Sequence, residues 1–237
     1  QIVRDTGYVV NEAARNLRDG HGHQVLVIVQ DISAPFYSDV VQGIVGMLAE
    51  HEINILLGVT LRQAKRETKL AKQLLSGVVD GIITLTGNAP KAISNMRDFN
   101  RKVVAISRPI PHGDVTCVTI DNYAAAKEVM AHLYAMGHRR IVHIGGPNHS
   151  ETYRIRSAAY VDFMRDNCLD ELINVRSTDS FSDDIESGFA IMKSMLDDGL
   201  RPTAVFCATD ELAVGAMGAA RQSNQDIPGA VSFFGFD

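Results

Sequence analysis

Residues 7–23 read G-Y-V-V-N-E-A-A-R-N-L-R-D-G-H-G-H and run directly into Q-V-L-V-I-V-Q-D-I-S-A-P-F at residues 24–36. The first part predicts a short polar helix, Asn11–Arg18. At about two turns it is marginal in water on its own. The second part predicts a strand, Val25–Val29, and then a turn. Its unbroken apolar run suits a strand buried on both faces, and such a strand needs helices on each side of its sheet.

The same pattern repeats along the chain. Candidate strands follow at Ile53–Gly58, Gly81–Leu85, Val103–Ile106, Cys117–Ile120, Arg140–Ile144, Ala204–Ala208 and Val231–Phe234. Helical periodicity lies between them. Val40, Val41, Ile44, Met47 and Leu48 share a face within a helix spanning Ser38–Glu50, as do Leu70, Leu74 and Leu75. Val129, Met130 and Leu133 form the next stripe, followed by Ile185, Phe189, Met192 and Met195. Strand–helix–strand repetition implies parallel sheets with right-handed crossovers.

The order is also doubled. Q-L-L-S-G precedes V-D-G-I-I-T-L, and M-L-D-D-G precedes R-P-T-A-V-F-C-A. Each is a helix, a glycine stop and a buried strand. The expected fold is therefore α/β, with two doubly wound parallel-sheet lobes that change over near Ile120–Asn122. The boundaries expected are 1–23, 24–120 and 121–237. The chain starts without Met and stops at Asp237 after an apolar run, so both ends are expected to be cut, with truncation at the C-terminus.

With 237 residues, 46% of them hydrophobic, the chain can bury a full core. A net charge of −5 argues against a face wholly given to nucleic acid, which needs clustered Lys and Arg. Cys117, Cys168 and Cys207 show no C-x-x-C spacing and fit buried thiols in a reducing cytoplasm. No apolar run reaches the roughly 18 residues of a membrane span. Residues 1–20 lack the apolar core of a signal peptide.

Ligands of open α/β sheets sit beyond the carboxyl ends of the strands. Asp31, Ser33, Phe36 and Tyr37 follow the first strand; Thr86, Arg108, Asp121, Asn122, Thr209, Asp210 and Asp237 follow later ones. Asp210 before E-L-A-V-G-A is equally a helix N-cap. Arg156, near the start of a helix predicted at Tyr153–Asp166, is a planar donor suited to hydroxyls or a carboxylate, although a solvated helix arginine is the bland alternative. Phe36 and Phe181 could stack on a sugar or base, with core packing as the alternative. The chain has no G-x-G-x-x-G, Walker loop, H-E-x-x-H or G-x-S-x-G. His138, His143 and His149 lack a helical i, i+4 pair. Neither a metal, a cofactor nor catalysis is expected.

Seven motifs in order carry a family resemblance: G-Y-V-V-N-E-A-A-R-N-L (Gly7–Leu17), D-I-S-A-P-F-Y (Asp31–Tyr37), D-G-I-I (Asp80–Ile83), V-T-I-D-N (Val118–Asn122), G-H-R-R-I (Gly137–Ile141), T-D-E-L-A-V-G-A (Thr209–Ala216) and G-F-D (Gly235–Asp237). The chain resembles the lactose-repressor (LacI) family of bacterial transcription regulators over essentially its whole length. The resemblance implies a periplasmic-binding-protein-like core of two lobes with a small effector between them. It also implies a homodimer, and operator DNA held through a headpiece that would precede residue 1. Residues 1–23 would then hold the end of the headpiece and the hinge helix. Arg15, Leu17 and Arg18 would contact DNA, with Leu17 as the minor-groove wedge. Phe36, Tyr37, Asp121, Thr152, Arg156, Phe181, Asp210 and Asp237 would contact the effector. V-L-V-I-V-Q-D-I-S-A-P-F and P-T-A-V-F-C-A-T-D look like the cytidine-responsive branch, which implies a nucleoside or a sugar. The exposed side of helix Ser38–Glu50 is the candidate dimer surface. A solute-binding protein for transport is the competing expectation, and the hinge-like Asn11–Arg18 counts against it. An enzyme acting on a sugar or nucleotide is the third.

Overall fold

A computed structural model describes residues 23–33, 35–88, 92–96, 98–110, 114–148, 150–177 and 184–236. The chain divides into two compact units, the first ending at Ile120 and the second beginning at Asp121.

In the first unit, β1 (Gln24–Val29), α1 (Pro35–Ala49), β2 (Asn54–Val59), α2 (Ala64–Leu75), β3 (Gly81–Thr84), the short α3 (Phe99–Lys102), β4 (Val103–Ile106) and β5 (Thr116–Val118) follow in order. The strands pair in parallel as β2-β1-β3-β4-β5. Alternation along β1 sorts the core into two layers. Leu26 and Ile28 pack with Leu74, Ile82 and Phe99. Val27 and Val29 pack with Leu85 and, from α1, with Val40, Val41 and Ile44. The unbroken apolar run of β1 is thus explained by helices on each face.

The second unit runs α4 (Asn122–Ala135), β6 (Ile141–Gly145), α5 (Glu151–Asp166), β7 (Val175–Ser177), α6 (Ile185–Asp197), β8 (Ala204–Cys207), α7 (Asp210–Gln222) and β9 (Ser232–Phe234). Its parallel order is β7-β6-β8-β9. Val142, Ile144, Val205 and Cys207 face Met192, Met195, Leu212 and Ala216. Ile141, Ala204 and Phe206 face Met130, Leu133, Tyr160 and Met164 from α4 and α5. Helices α6 and α7 cross at closest approach through two glycines: a Cβ built on Gly215 would lie 1.9 Å from the Ile185 carbonyl oxygen, and one on Gly188 would lie 2.2 Å from that of Leu212.

The helix-to-strand corners share one design. Gly77, Gly137 and Gly199 stop α2, α4 and α6 with φ of 71°, 93° and 83°, the left-handed geometry that glycine adopts without strain. In the second unit an arginine two residues later completes the corner. Arg139 Nη1 donates to the carbonyls of Tyr134 (2.8 Å) and His138 (2.9 Å). Arg201 Nη1 donates to those of Leu196 (3.0 Å) and Leu200 (2.8 Å).

Several expectations need correction. Met47, Leu75 and Ile185 share the period of their helices' apolar stripes but are more than half exposed. Helical period alone does not mark where a packed stripe ends. Strand β7 was not anticipated, because its residues, V-R-S, form a short edge strand without an apolar run. Strand β5 stops at Val118, and both Val118 and Ile120 are exposed. Helix α1 begins at Pro35, a residue suited to a first helical turn, rather than at Ser38. Of the thiols expected to be buried, Cys207 is, Cys117 is half-buried and Cys168 is exposed. No helix among the described residues is long and apolar enough to cross a membrane.

Candidate functional site

The order of the second sheet reverses between β6 and β8. Such a switch point opens a crevice at the carboxyl ends of the strands. Helix α5 begins there, directly after β6, and carries Thr152 and Arg156 four residues apart on one face. Arg156 is 8% exposed. Its Nε donates to Asn122 Oδ1 at 2.9 Å, and its Nη1 donates to the Ala208 carbonyl at 2.5 Å, just beyond β8. Its guanidinium carbon lies 3.7 Å from the centre of the Phe236 ring. Two hydrogen bonds and a stacked ring fix the plane of a permanently charged fork, which is the arrangement for gripping paired hydroxyls or a carboxylate.

Other expected residues gather at the same edge with different roles. Asp121 caps α4: Oδ1 accepts from the backbone N–H of Tyr123 (3.1 Å) and Ala124 (2.9 Å). Asp210 is not the cap of α7. That position belongs to Thr209, whose Oγ1 accepts from Leu212 N at 3.3 Å. Asp210 stands in the first turn, against the backbone of Gly235, where a Cβ would come within 2.0 Å of its Oδ1. Asn122, expected at the ligand edge, and Phe236, which was not expected there, hold Arg156. Asp237 and Phe181, with Arg15, Leu17 and Arg18 of the helix expected at Asn11–Arg18, lie outside the described residues.

One further side chain ties this edge to the core. His143, in the middle of β6, is fully buried. Its Nδ1 is 2.9 Å from the Phe206 carbonyl and its Nε2 is 3.0 Å from Ser157 Oγ. A carbonyl only accepts, so Nδ1 carries the proton and Nε2 accepts from the serine. The ring stacks with Tyr160 at 5.4 Å and lies against Phe206 at 4.7 Å. Burial pushes its pKa down to about 4, opposed by the Phe206 hydrogen bond and helped by the charge of Arg156.

In the first unit the order reverses between β1 and β3. Phe36 and Tyr37 open α1 beyond β1, edge to face at 5.3 Å. Phe36 is 36% exposed, whereas Tyr37 packs on Val27 and Val29. Asp31 folds into a turn, accepting from Ile32 N (2.7 Å), Ser33 N (3.0 Å) and Ser33 Oγ (2.9 Å). The hydrogen bonds from Ser33 hold its carboxyl below the ordinary range. Buried Glu67 accepts from Thr86 Oγ1 and from Asn88 Nδ2 (3.2 Å), pinning the loop beyond β3. Leu61, Arg62 and Ser107, each just past a strand at this edge, have φ of 49°, 59° and 69°. Backbone strain in non-glycine residues concentrates at binding sites.

Two parallel sheets, each reversing order beside a polar carboxyl edge, agree with the comparisons to known proteins. Residues 22–237 match the family model described as periplasmic binding proteins and sugar binding domain of LacI family. The chain belongs to the LacI family. Over 242 aligned residues it is 31% identical to the HTH-type transcriptional repressor CytR of Escherichia coli, covering all of this chain and 69% of that one. A structure of an uncharacterized protein from Actinobacillus succinogenes superposes with a TM-score of 0.82 at 28% identity, covering 91% of this chain and 79% of that one. The lac repressor dimer bound to operator and the anti-inducer ONPF matches in fold, with a TM-score of 0.84 at 20% identity, covering 99% and 71%.

Proposed function

We propose that this LacI-family protein is a ligand-responsive transcriptional repressor whose effector is a nucleoside or small sugar. The observation that carries the proposal is Arg156, oriented by Asn122, Ala208 and Phe236 at a strand-order reversal. Thr152, Asp121 and Asp210 stand at the same carboxyl edge of the second unit, and Phe36 and Tyr37 are proposed as further contacts. Asp237 and Phe181 join the proposed contacts from their places in sequence. Effector binding would shift the amino-terminal segment, where Arg15, Leu17 and Arg18 meet operator DNA. The coupling is reciprocal, so DNA and effector change each other's affinity by the same factor.

The repressor reading is favoured over a transport protein by the alignment to CytR, which spans the whole chain and so includes the hinge-like segment ahead of the family match at residue 22. We assign no catalysis and place the protein in the cytoplasm as a homodimer. The dimer reading rests on α1. None of its side chains is fully buried, Val45 and Met47 are exposed, and Gly43 and Gly46 face open space. Glycines inside an exposed helix cost about 1 kcal/mol each, a cost explained if a second copy approaches closely there.

The test is calorimetric titration and thermal shift with cytidine, uridine, adenosine, ribose and glucose. A ligand at 100 times its Kd stabilises the fold by about 2.7 kcal/mol. Arg156→Ala is expected to lose that response. A variant that responds like the wild type would remove Arg156 from the site.

A further inference from the structure

Arg156 and Ser157 are adjacent on α5, and they reach into different surroundings. Arg156 reaches the carbonyl of Ala208. Ser157 reaches His143, which in turn reaches the carbonyl of Phe206, two residues before Ala208 on the same stretch of chain. β6, α5 and β8 are thus joined by one polar chain immediately inward of the guanidinium. A second fastening lies further down α5. Tyr160 Oη donates to the Ile141 carbonyl at 2.8 Å and accepts from Asn174 N at 3.0 Å. The two fastenings sit on either side of the stacked His143–Tyr160 pair, with the histidine one nearer the carboxyl edge. The imidazole does more than fill space, since it hydrogen-bonds on both sides. Both ring nitrogens are satisfied: the Phe206 carbonyl accepts a hydrogen bond from Nδ1–H, and the Ser157 hydroxyl donates to Nε2.

We propose that His143 is a positioning residue for Arg156: through Ser157 it sets the rotation of α5 on the sheet, and with it the plane of the guanidinium. The inference rests on the reading of Arg156 as the ligand-holding side chain. The imidazole works as a neutral hydrogen-bond relay with its proton on Nδ1. A side chain of similar volume without both nitrogens would keep the core and lose the alignment.

The Arg156 Nε–H provides a readout that needs no ligand. Its hydrogen bond to Asn122 slows its exchange with water, and Arg156→Ala assigns its signal in a proton–nitrogen NMR spectrum. Ser157→Ala and His143→Phe are expected to accelerate this exchange by about tenfold, while Tyr160→Phe lowers the melting temperature yet leaves the exchange within about twofold. Unchanged Nε–H exchange in a folded Ser157→Ala protein overturns the proposal, as does equal acceleration in Tyr160→Phe. With cytidine as the probe, loss of binding in Arg156→Ala beside wild-type affinity in Ser157→Ala also overturns it and leaves the ligand role of Arg156 standing. Wild-type affinity in Arg156→Ala removes that ligand role instead, and the exchange rates then decide the alignment by themselves.

Discussion

Replacing Gly215 by alanine tests whether the α6–α7 crossing is as close as described. The new methyl would sit 1.9 Å from the Ile185 carbonyl oxygen and 2.7 Å from Phe189 N. A carbon–oxygen contact relaxes at roughly 3.3 Å, so the helices must part by more than about 1 Å. Both obstacles are backbone and cannot swing aside as a side-chain end would. Overpacking of this kind costs about 1–3 kcal/mol. Alanine returns about 1 kcal/mol of helix propensity. The net loss is up to about 2 kcal/mol, or up to roughly 10 °C in the melting of a unit this size. Gly218 lies on the same helix, and a Cβ there meets Phe189 Cδ2 at an ordinary 3.5 Å. Gly218→Ala should therefore raise the same transition, by about 0.5–1 kcal/mol. The chain has no tryptophan, so the measurement is far-ultraviolet circular dichroism with calorimetry. If Gly215→Ala melts at or above the wild type, the close crossing is refuted. Loss in both variants would refute the contrast between the two positions.

His143 gives a pH prediction. Its folded pKa, about 4, lies below the ordinary 6.5, so between those values the unfolded chain binds the proton that the folded chain refuses. Stability from this group is complete above pH 6.5 and declines as pH falls to 4, by roughly 3 kcal/mol. Urea titrations across this range should show His143→Phe with a shallower slope than the wild type, and parallel slopes would contradict the assignment. For α1, the double substitution Val45→Glu and Met47→Glu should convert a dimer to a monomer in sedimentation equilibrium without altering the circular dichroism. A dimer that persists would direct attention to another surface.

Much of the framework was legible in the linear chain because it depends on local patterns. Apolar runs marked β1, β3, β4, β6 and β8. Glycines marked the ends of α2 and α6, where a left-handed residue is needed. Arg156 was legible as a charged donor near a helix start. What surrounds it was not: Asn122, Ala208 and Phe236 come from three separate parts of the chain, and only the fold brings them together. Asp121 and Thr209 show the converse, since a cap and a ligand contact call for the same residue types, and hydrogen bonds distinguish them. His143 looked like a histidine without a metal partner. Its two hydrogen bonds run to a serine 14 residues ahead and a carbonyl 63 residues ahead, and no spacing rule connects them. Edge strand β7 escaped because a strand open to solvent on one side carries little apolar signature.

The glycine–arginine corners of the second unit stand at the amino ends of their strands, away from the carboxyl edge where Arg156 lies. Each guanidinium takes two carbonyls that water would otherwise bind, so the turn closes without help from any ligand. The two ends of this sheet are therefore free to change at different rates. On the proposed reading, substitutions around Arg156 would redirect which small molecule is recognised while the corners hold the strands in register, whereas a lysine at position 139 or 201 would loosen the scaffold and leave the preference for ligand unaltered.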